Sequence, residues 1–242
     1  MNDLAQAIER LVVDRWFRDP PPLVAAMASR PSPGVTQAFV LQWTKFSRQF
    51  PRWVGAIMSN CPEMAVIAYE VENLMAEVVR DPAGDDNHYE LLVRLGEGLG
   101  LSRRHIEDFP ALAATDQLLS WLWAKARQDD WVTGFTAVNG LEILGDRNLP
   151  GRYGVTQGTG LAAAPYASSL GLDRRHLEFF EVSDQADAGH GSETVRIMAR
   201  YCPAGGEEDM LSVLEESMAR LRTMMDATWE LAGDLDAGRE RR

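Results

Sequence analysis

Apolar residues recur every three to four positions along most of the chain. Leu4, Ile8, Leu11, Val12 and Trp16 keep this spacing, and so do Met64, Ile67, Val71, Leu74, Met75 and Val78. Such intervals gather side chains on one face of an α-helix, so both segments read as amphipathic helices with the stripe turned to a core. A third stripe, Leu211, Leu214, Met218, Leu221 and Met225, lies among Glu215, Glu216, Arg220 and Arg222, and its methionines read as core packing. No period-two run bounded by hairpin turns stands out. Pro and Gly gather between helical segments, at Pro20 to Pro22, Pro31 to Gly34 and Pro203 to Gly206. The pattern predicts an all-α bundle with helices over about 3–18, 36–50, 52–60, 63–80, 87–99, 115–128, 131–145, 173–190 with an extension to 201, and 207–233, followed by a solvated tail over 234–242. The Gly- and Ala-rich stretch 147–168 is the least regular. Its Gly151, Gly154, Gly158 and Gly160 are too widely spaced, with no strand before them, to form a phosphate loop.

The 242 residues are 45% hydrophobic, enough to bury a core in one domain without staples. Lys and Arg total 24 against 36 Asp and Glu, a formal charge of -12, which disfavours nucleic acid and anionic membranes as partners. The two cysteines, Cys61 and Cys202, fit no C-x-x-C pattern and read as packing thiols of a reduced, cytoplasmic protein. Asp3, Glu9 and Asp14 interrupt the N-terminal apolar residues, unlike an export signal. No apolar run approaches the roughly 20 residues that span a bilayer.

Chemistry is suggested where polar residues interrupt the apolar stripes. Leu91, Leu92, Leu95 and Leu99 lie three, four, seven and eleven residues beyond His88, which places that imidazole mid-stripe and pointing inward. Trp131, Phe135, Val138 and Glu142 stand at offsets of zero, four, seven and eleven, so a carboxylate continues an apolar face. A buried carboxylate requires a raised pKa or a cation, either a metal ion or an arginine. From His176 to Ile197 a four-three seam carries Ser183, Asp187, His190 and Thr194, and Asp187 and His190 can present an oxygen and a nitrogen to one point. Gly189 and Gly191 flank His190 and weaken a helix by about 1 kcal/mol each, so a break there would turn the ring away. Glu77, beside Glu70 and Glu72, falls by periodicity at the rim of its stripe. His105 and His176 each follow an Arg-Arg pair and read as surface or packing residues. The inward nitrogen and oxygen donors suit iron or manganese better than zinc.

Over about residues 36–202 the chain resembles the haem-oxygenase-like di-iron oxidases, relatives of TenA and of the pyrroloquinoline quinone synthase PqqC. FSRQFPRWVGAIMSNCPE is similar to that family's second helix pair and is followed by its Asn-Leu-x-x-Glu run at Asn73, Leu74 and Glu77. His88 then precedes ELLVRLGEGLGL, and LEFFEVSDQADAGH is similar to the closing H-x-x-x-D-x-x-H motif at Asp187 and His190. The resemblance implies a haem-oxygenase-like helical bundle with Glu77, His88, Glu142, Asp187 and His190 as metal ligands, and Glu142 and His88 as catalytic residues. Ser183 stands where the motif has its first histidine, so one of six ligand positions is vacant. The implied cofactor is Fe(II), one or two ions, with O2 as co-substrate for oxidation of a small amino-acid-like or fatty-acid-like metabolite. A metal-independent enzyme like PqqC or TenA, with His88 as acid or base, and a non-catalytic binding protein with a degenerate metal site are the alternatives. The expected partners are a small-molecule substrate and, at most, a second copy in a homodimer.

Overall fold

Two long helices frame the molecule, and the termini of both are tied together. Ser32 opens helix α3 (Pro33–Asn60): its hydroxyl accepts from the Val35 N–H at 3.1 Å, and Pro33 occupies the first turn, where its missing N–H costs nothing. The same hydroxyl donates to Asp236 at 2.6 Å, and Gly34 N–H donates to Asp236 at 2.8 Å. Asp236 ends α12 (Glu207–Asp236), so the start of α3 meets the finish of α12. In this computed structural model the backbone is described over residues 3–127, 130–155 and 163–239, and the side chains of 163–165 and 183–189 lie outside the description. The remaining helices are α1 (Asp3–Val12), α2 (Pro22–Ser29), α4 (Met64–Leu74), α5 (His88–Gly98), α6 (Arg103–Asp108), α7 (Ala113–Ala126), α8 (Trp131–Val138), α9 (Leu149–Arg152), α10 (Ala163–Leu170) and α11 (Arg174–Tyr201). Among the described residues there is no strand, and no helix is long and apolar enough to cross a membrane.

The all-α expectation therefore holds, with local corrections. The segments expected as 36–50 and 52–60 are one helix that passes through Pro51. Proline removes one backbone hydrogen bond there, a loss offset by burial of Phe50, Trp53, Val54 and Ile57 around it. The prolines at 22 and 33 start helices rather than separating them. Helix α4 continues as a π-helical turn over Met75–Val79, and α8 tightens to a 3-10 turn over Asn139–Gly145. The largest correction concerns the 64–78 stripe. Met64, Val71, Met75 and Val78 are exposed, whereas Val66, Tyr69, Glu70, Asn73 and Ala76 face the core. By contrast Leu4, Ile8, Val12 and Trp16 are buried as the periodicity indicates, as are Leu214, Met218, Leu221 and Met225 of α12.

Helix α11 runs without a break from Arg174 to Tyr201, so the glycines around His190 do not interrupt it. Gly191 serves closeness instead. A Cβ at this position would stand 2.9 Å from the Cβ of Asp146 and 3.3 Å from the Cα of Ile143, so only glycine lets α11 press directly on the 3-10 turn that carries Glu142.

Beneath that turn lies a buried polar cluster. Glu70 is fully buried, and the Asn139 amide donates to its Oε2 at 3.2 Å. Among the described residues, Glu70 Oε1, Asn73 Oδ1 and Asn139 Oδ1 have no hydrogen-bond partner. Burial pushes the Glu70 carboxyl up to about 8, against the hydrogen bonds from Asn139 and Asn73, which pull it down, so the group is largely neutral at pH 7.

Two measurements follow from these contacts. Gly191→Val should cost about 1–3 kcal/mol through overpacking, while Gly55→Ala, at an open position of α3, should gain about 0.5–1 kcal/mol in urea denaturation. Equal effects of the two substitutions would refute the close-approach role. Because the folded protein holds the Glu70 proton more tightly than the unfolded chain, its contribution is full in acid and declines as pH climbs through about 8. Wild-type stability should thus fall more steeply from about pH 6 to 9 than that of Glu70→Gln, by on the order of 2 kcal/mol. Parallel pH profiles would place Glu70 in contact with water.

Candidate functional site

Helices α3, α4, α5, α11 and α12, with the N-terminal segment and the 139–145 turn, enclose a cavity of about 230 Å³. Its apolar wall is an aromatic ladder on α3. Phe39 stacks on Trp43 at 5.5 Å between ring centroids, Trp43 on Phe46 at 4.7 Å, and Phe46 meets Phe50 at 6.3 Å. These residues recur at intervals of four, three and four, so one helical face delivers all four rings to the cavity. Phe179, Leu141, Leu221 and Met225 complete this lining with Trp16, Phe17, Val24 and Met27 of the N-terminal segment.

The polar wall gathers Asn73, Glu77, His88, Glu142 and His190, with Ser47 and Arg147 elsewhere on the lining. His88 opens α5, where Asn87 caps the helix by accepting from Glu90 N–H. One ring N–H of His88, Nδ1, donates to Glu77 at 2.7 Å and the other, Nε2, donates to Asp81 at 2.9 Å. Burial alone would lower the pKa of this imidazole, but the Glu77 and Asp81 carboxylates prevail and hold it protonated up to about 10. Burial likewise pulls Asp81 upward, yet its bonds from His88 and from the Ala83 N–H keep its carboxyl below the usual carboxylate range.

Glu142 and His190 form the second half. The carboxylate of Glu142 receives the Tyr69 hydroxyl at 3.0 Å on Oε2 and the Asn73 amide at 3.4 Å on Oε1. Burial, reinforced by the Glu142 charge, pushes the Tyr69 hydroxyl far above its ordinary pKa, so it stays a neutral donor, with Thr194 2.9 Å from its oxygen. His190 Nδ1 stands 3.8 Å from Glu142 Oε2, beyond hydrogen-bond range. Burial, then the positive charge of His88, lowers the His190 pKa, which leaves a neutral ring able to coordinate.

The structure thus brings four of the expected residues, Glu77, His88, Glu142 and His190, to one cavity. Glu77 lies further inward than its periodicity indicates, with a side chain only 17% exposed, because the π-helical turn rotates it toward His88. Ser183 and Asp187 belong to the backbone of α11, but their side chains lie outside the described residues. His105 and His176 are away from the cavity, His176 pairing with Asp173 at 2.8 Å. Among the described residues no three His, Cys, Asp or Glu side chains form a ready-made metal site. The donor set nevertheless fits iron in its chemistry: mixed imidazole and carboxylate, a neutral His190, and a Glu142 carboxylate already oriented by Tyr69 and Asn73. Sequence reasoning missed Tyr69 and Asp81. An acidic residue four positions after Glu77, the aspartate of an Asp-Pro turn, was the available signal for Asp81. Tyr69 has no such signal, since an inward tyrosine on a helix ordinarily reads as core.

Comparison with known proteins places these residues in a family. A 4-aminobenzoate synthase of Chlamydia pneumoniae is 23% identical over 188 residues, spanning 78% of this chain and 76% of that protein. A haem-oxygenase-like domain of unknown function from Shewanella denitrificans superposes with a TM-score of 0.70 at 14% identity, covering 99% of this chain and 94% of that one. A TenA homologue from Pseudomonas syringae pv. tomato gives 0.69, also at 14% identity, over 94% and 90%. The two structures establish a shared haem-oxygenase-like fold. Residues 37–225 match the family described as iron-containing redox enzymes, and the chain belongs to that haem-oxygenase-like family.

Proposed function

We propose that this protein is a non-haem iron-dependent oxidase or oxygenase that uses O2 to oxidise a small, largely apolar metabolite. The observation that carries this reading is the cavity itself, where two histidine–carboxylate pairs, His88 with Glu77 and His190 with Glu142, face an aromatic wall across about 230 Å³. Glu77, His88, Glu142 and His190 would hold the metal, with Asp187 as the further ligand that the family resemblance implies. Bound ferrous iron would supply the electrons that O2 needs to react with a closed-shell organic substrate.

The chain's own residues divide the remaining work. Tyr69 and Asn73 keep Glu142 aimed into the cavity, and Gly191 keeps His190 beside it. His88 carries a proton that metal binding must release, leaving Glu77 free to turn toward the ion. Phe39, Trp43, Phe46 and Phe50 exclude water from the substrate's apolar body. The Ser47 hydroxyl, 8% exposed and without a hydrogen-bond partner among the described residues, offers that body one polar contact, and Arg147 on the lining suits a carboxylate. An amino-acid-like or fatty-acid-like substrate meets these requirements.

One observation favours a second reading. Both nitrogens of His88 are engaged by carboxylates, which also suits a metal-independent enzyme using this imidazolium as a general acid.

Anaerobic titration with ferrous iron separates the two. Wild type should take up one or two ions per chain, the His88→Ala, His190→Ala double variant none, and Glu142→Ala should lose at least about 100-fold of iron-dependent O2 consumption with its circular dichroism unchanged. Uptake indistinguishable between wild type and the double variant would exclude the iron reading. Proton release gives an independent check. Because His88 stays charged to about 10, iron must displace its proton, so apparent affinity should rise with pH, approaching about tenfold per unit over roughly pH 6 to 9, with one proton appearing in solution per ion. A flat pH profile would remove His88 from the ligand set.

A further inference from the structure

Helix α4 and its π-helical extension carry Tyr69, Asn73 and Glu77 on one face and a second apolar row on the other. Met64, Val71, Met75, Val78 and Val79 are 73%, 46%, 49%, 54% and 59% exposed, and Ala65 and Ala68 are exposed between them. From Met64 to Val79, Glu72 is the single exposed charged side chain. A solvated helix face ordinarily carries several charges, and a contiguous apolar patch of this kind marks a contact surface.

The spacing of the row says what kind of contact. Met64, Ala68, Val71 and Met75 follow one another at intervals of four, three and four, the repeat of a two-stranded helical seam, and the exposed Val78 and Val79 carry the apolar face onward across the π-helical turn. It extends about 21 Å at 1.5 Å per residue, with alanines among the larger side chains that allow two backbones to approach closely. We infer that this face is where two copies of the chain associate, their α4 helices antiparallel about a two-fold axis beside Val71. The charges at the two ends of the row select that direction. Glu63 immediately precedes it and Arg80 immediately follows it. Antiparallel pairing sets Glu63 of each copy beside the partner's Arg80, twice over by symmetry, whereas parallel pairing would set like charges together. Arg80 Nε donates to the Gly84 carbonyl at 2.9 Å, which holds the side chain in place while its outer guanidinium stays open to solvent: the side chain is 62% exposed, and its ion pair with Asp85 is long at 3.9 Å. Glu72 lies on the flank of the row, where its carboxylate can stay in water. The dimer would clamp from outside the same helix that presents Tyr69, Asn73 and Glu77 within.

Sedimentation velocity and light scattering on the full chain, from about 1 to 100 µM, test the proposal. At the upper end the mass should be that of two 26.9 kDa chains. A Val71→Lys, Met75→Lys variant should raise the dissociation constant roughly 100-fold or more, because each lysine would bury a charge in the seam. On mild oxidation Val71→Cys should form a linked dimer with itself, being next to the axis. Met64→Cys should link only when mixed with Val78→Cys, because antiparallel pairing sends Met64 to the far end of the partner helix. Oxidised wild type controls for Cys61 and Cys202. A wild type that stays monomeric throughout, a lysine variant that dimerises as tightly as wild type, or self-linking of Met64→Cys equal to that of Val71→Cys would overturn the proposal. Should the lysine variant fail to fold, the cysteine variants decide alone.

Discussion

Charge held inside an apolar bundle has to be answered from within the bundle, and most of this structure is arranged around that requirement. The pivotal contact is the imidazolium of His88 between Glu77 and Asp81. Without the ring, the carboxylates of Glu77 and Asp81, both largely out of water, would lose the cation they share, in surroundings that penalise each. Holding it there demands that the start of α5 lie against the end of α4 and the turn after it. Glu77 reaches inward only because α4 loosens into a π-helical turn, and Asp81 only because the chain turns at once beyond Arg80. The other carboxylate, Glu142, is answered by neutral donors, Tyr69 and Asn73. The polar wall therefore carries a charge-compensated group at His88 and a neutral imidazole at His190, beside Glu142.

The fold was legible in the sequence because helical periodicity and helix-starting residues are local, and this bundle obeys both. Most stripes that repeat at three and four residues are buried where the pattern says they should be, as Leu214, Met218, Leu221 and Met225 illustrate. The α4 row was misread for a physical reason. Periodicity reports that a helix has an apolar face, not what covers it, and here the core is served by Val66, Tyr69, Asn73 and Ala76 on the less hydrophobic side. The site was legible in halves. His88 and Glu142 appear as polar interruptions of apolar rows, although Glu142 reaches the cavity through a 3-10 turn that the regular helical offset does not describe. Asp187 and Ser183 were named by the four-three seam of their helix as well as by resemblance to a motif, and their side chains lie outside the described residues. Tyr69 and Gly191 were invisible in advance because their roles depend on a neighbour from a distant part of the chain.

That dependence on distant partners runs through the polar layer. Tyr69 meets Glu142 from 73 positions away, and Arg94 meets Glu178 at 2.7 Å from 84 positions away. Helices form from local signals, but the donor groups converge only when α4, α5, α11 and the 139–145 turn have docked. Gly191 sits at the tightest of those junctions, which is why the absence of a side chain there matters as much as the presence of one at His190.

The cavity is assembled from two parts of the chain, one inside and one outside the stretch that matches the family. The residues that would hold the metal, and the aromatic ladder of α3, lie within the stretch 37–225 that matches the family. Trp16, Phe17, Val24 and Met27, which close the same cavity from the N-terminal segment, lie before it. Exchange of those four side chains would alter the shape and depth of the chamber while leaving every donor atom where it is. If the proposed function holds, selectivity could drift through this wall without disturbing the reacting groups, and two proteins with the same polar wall and different N-terminal segments would admit differently shaped molecules.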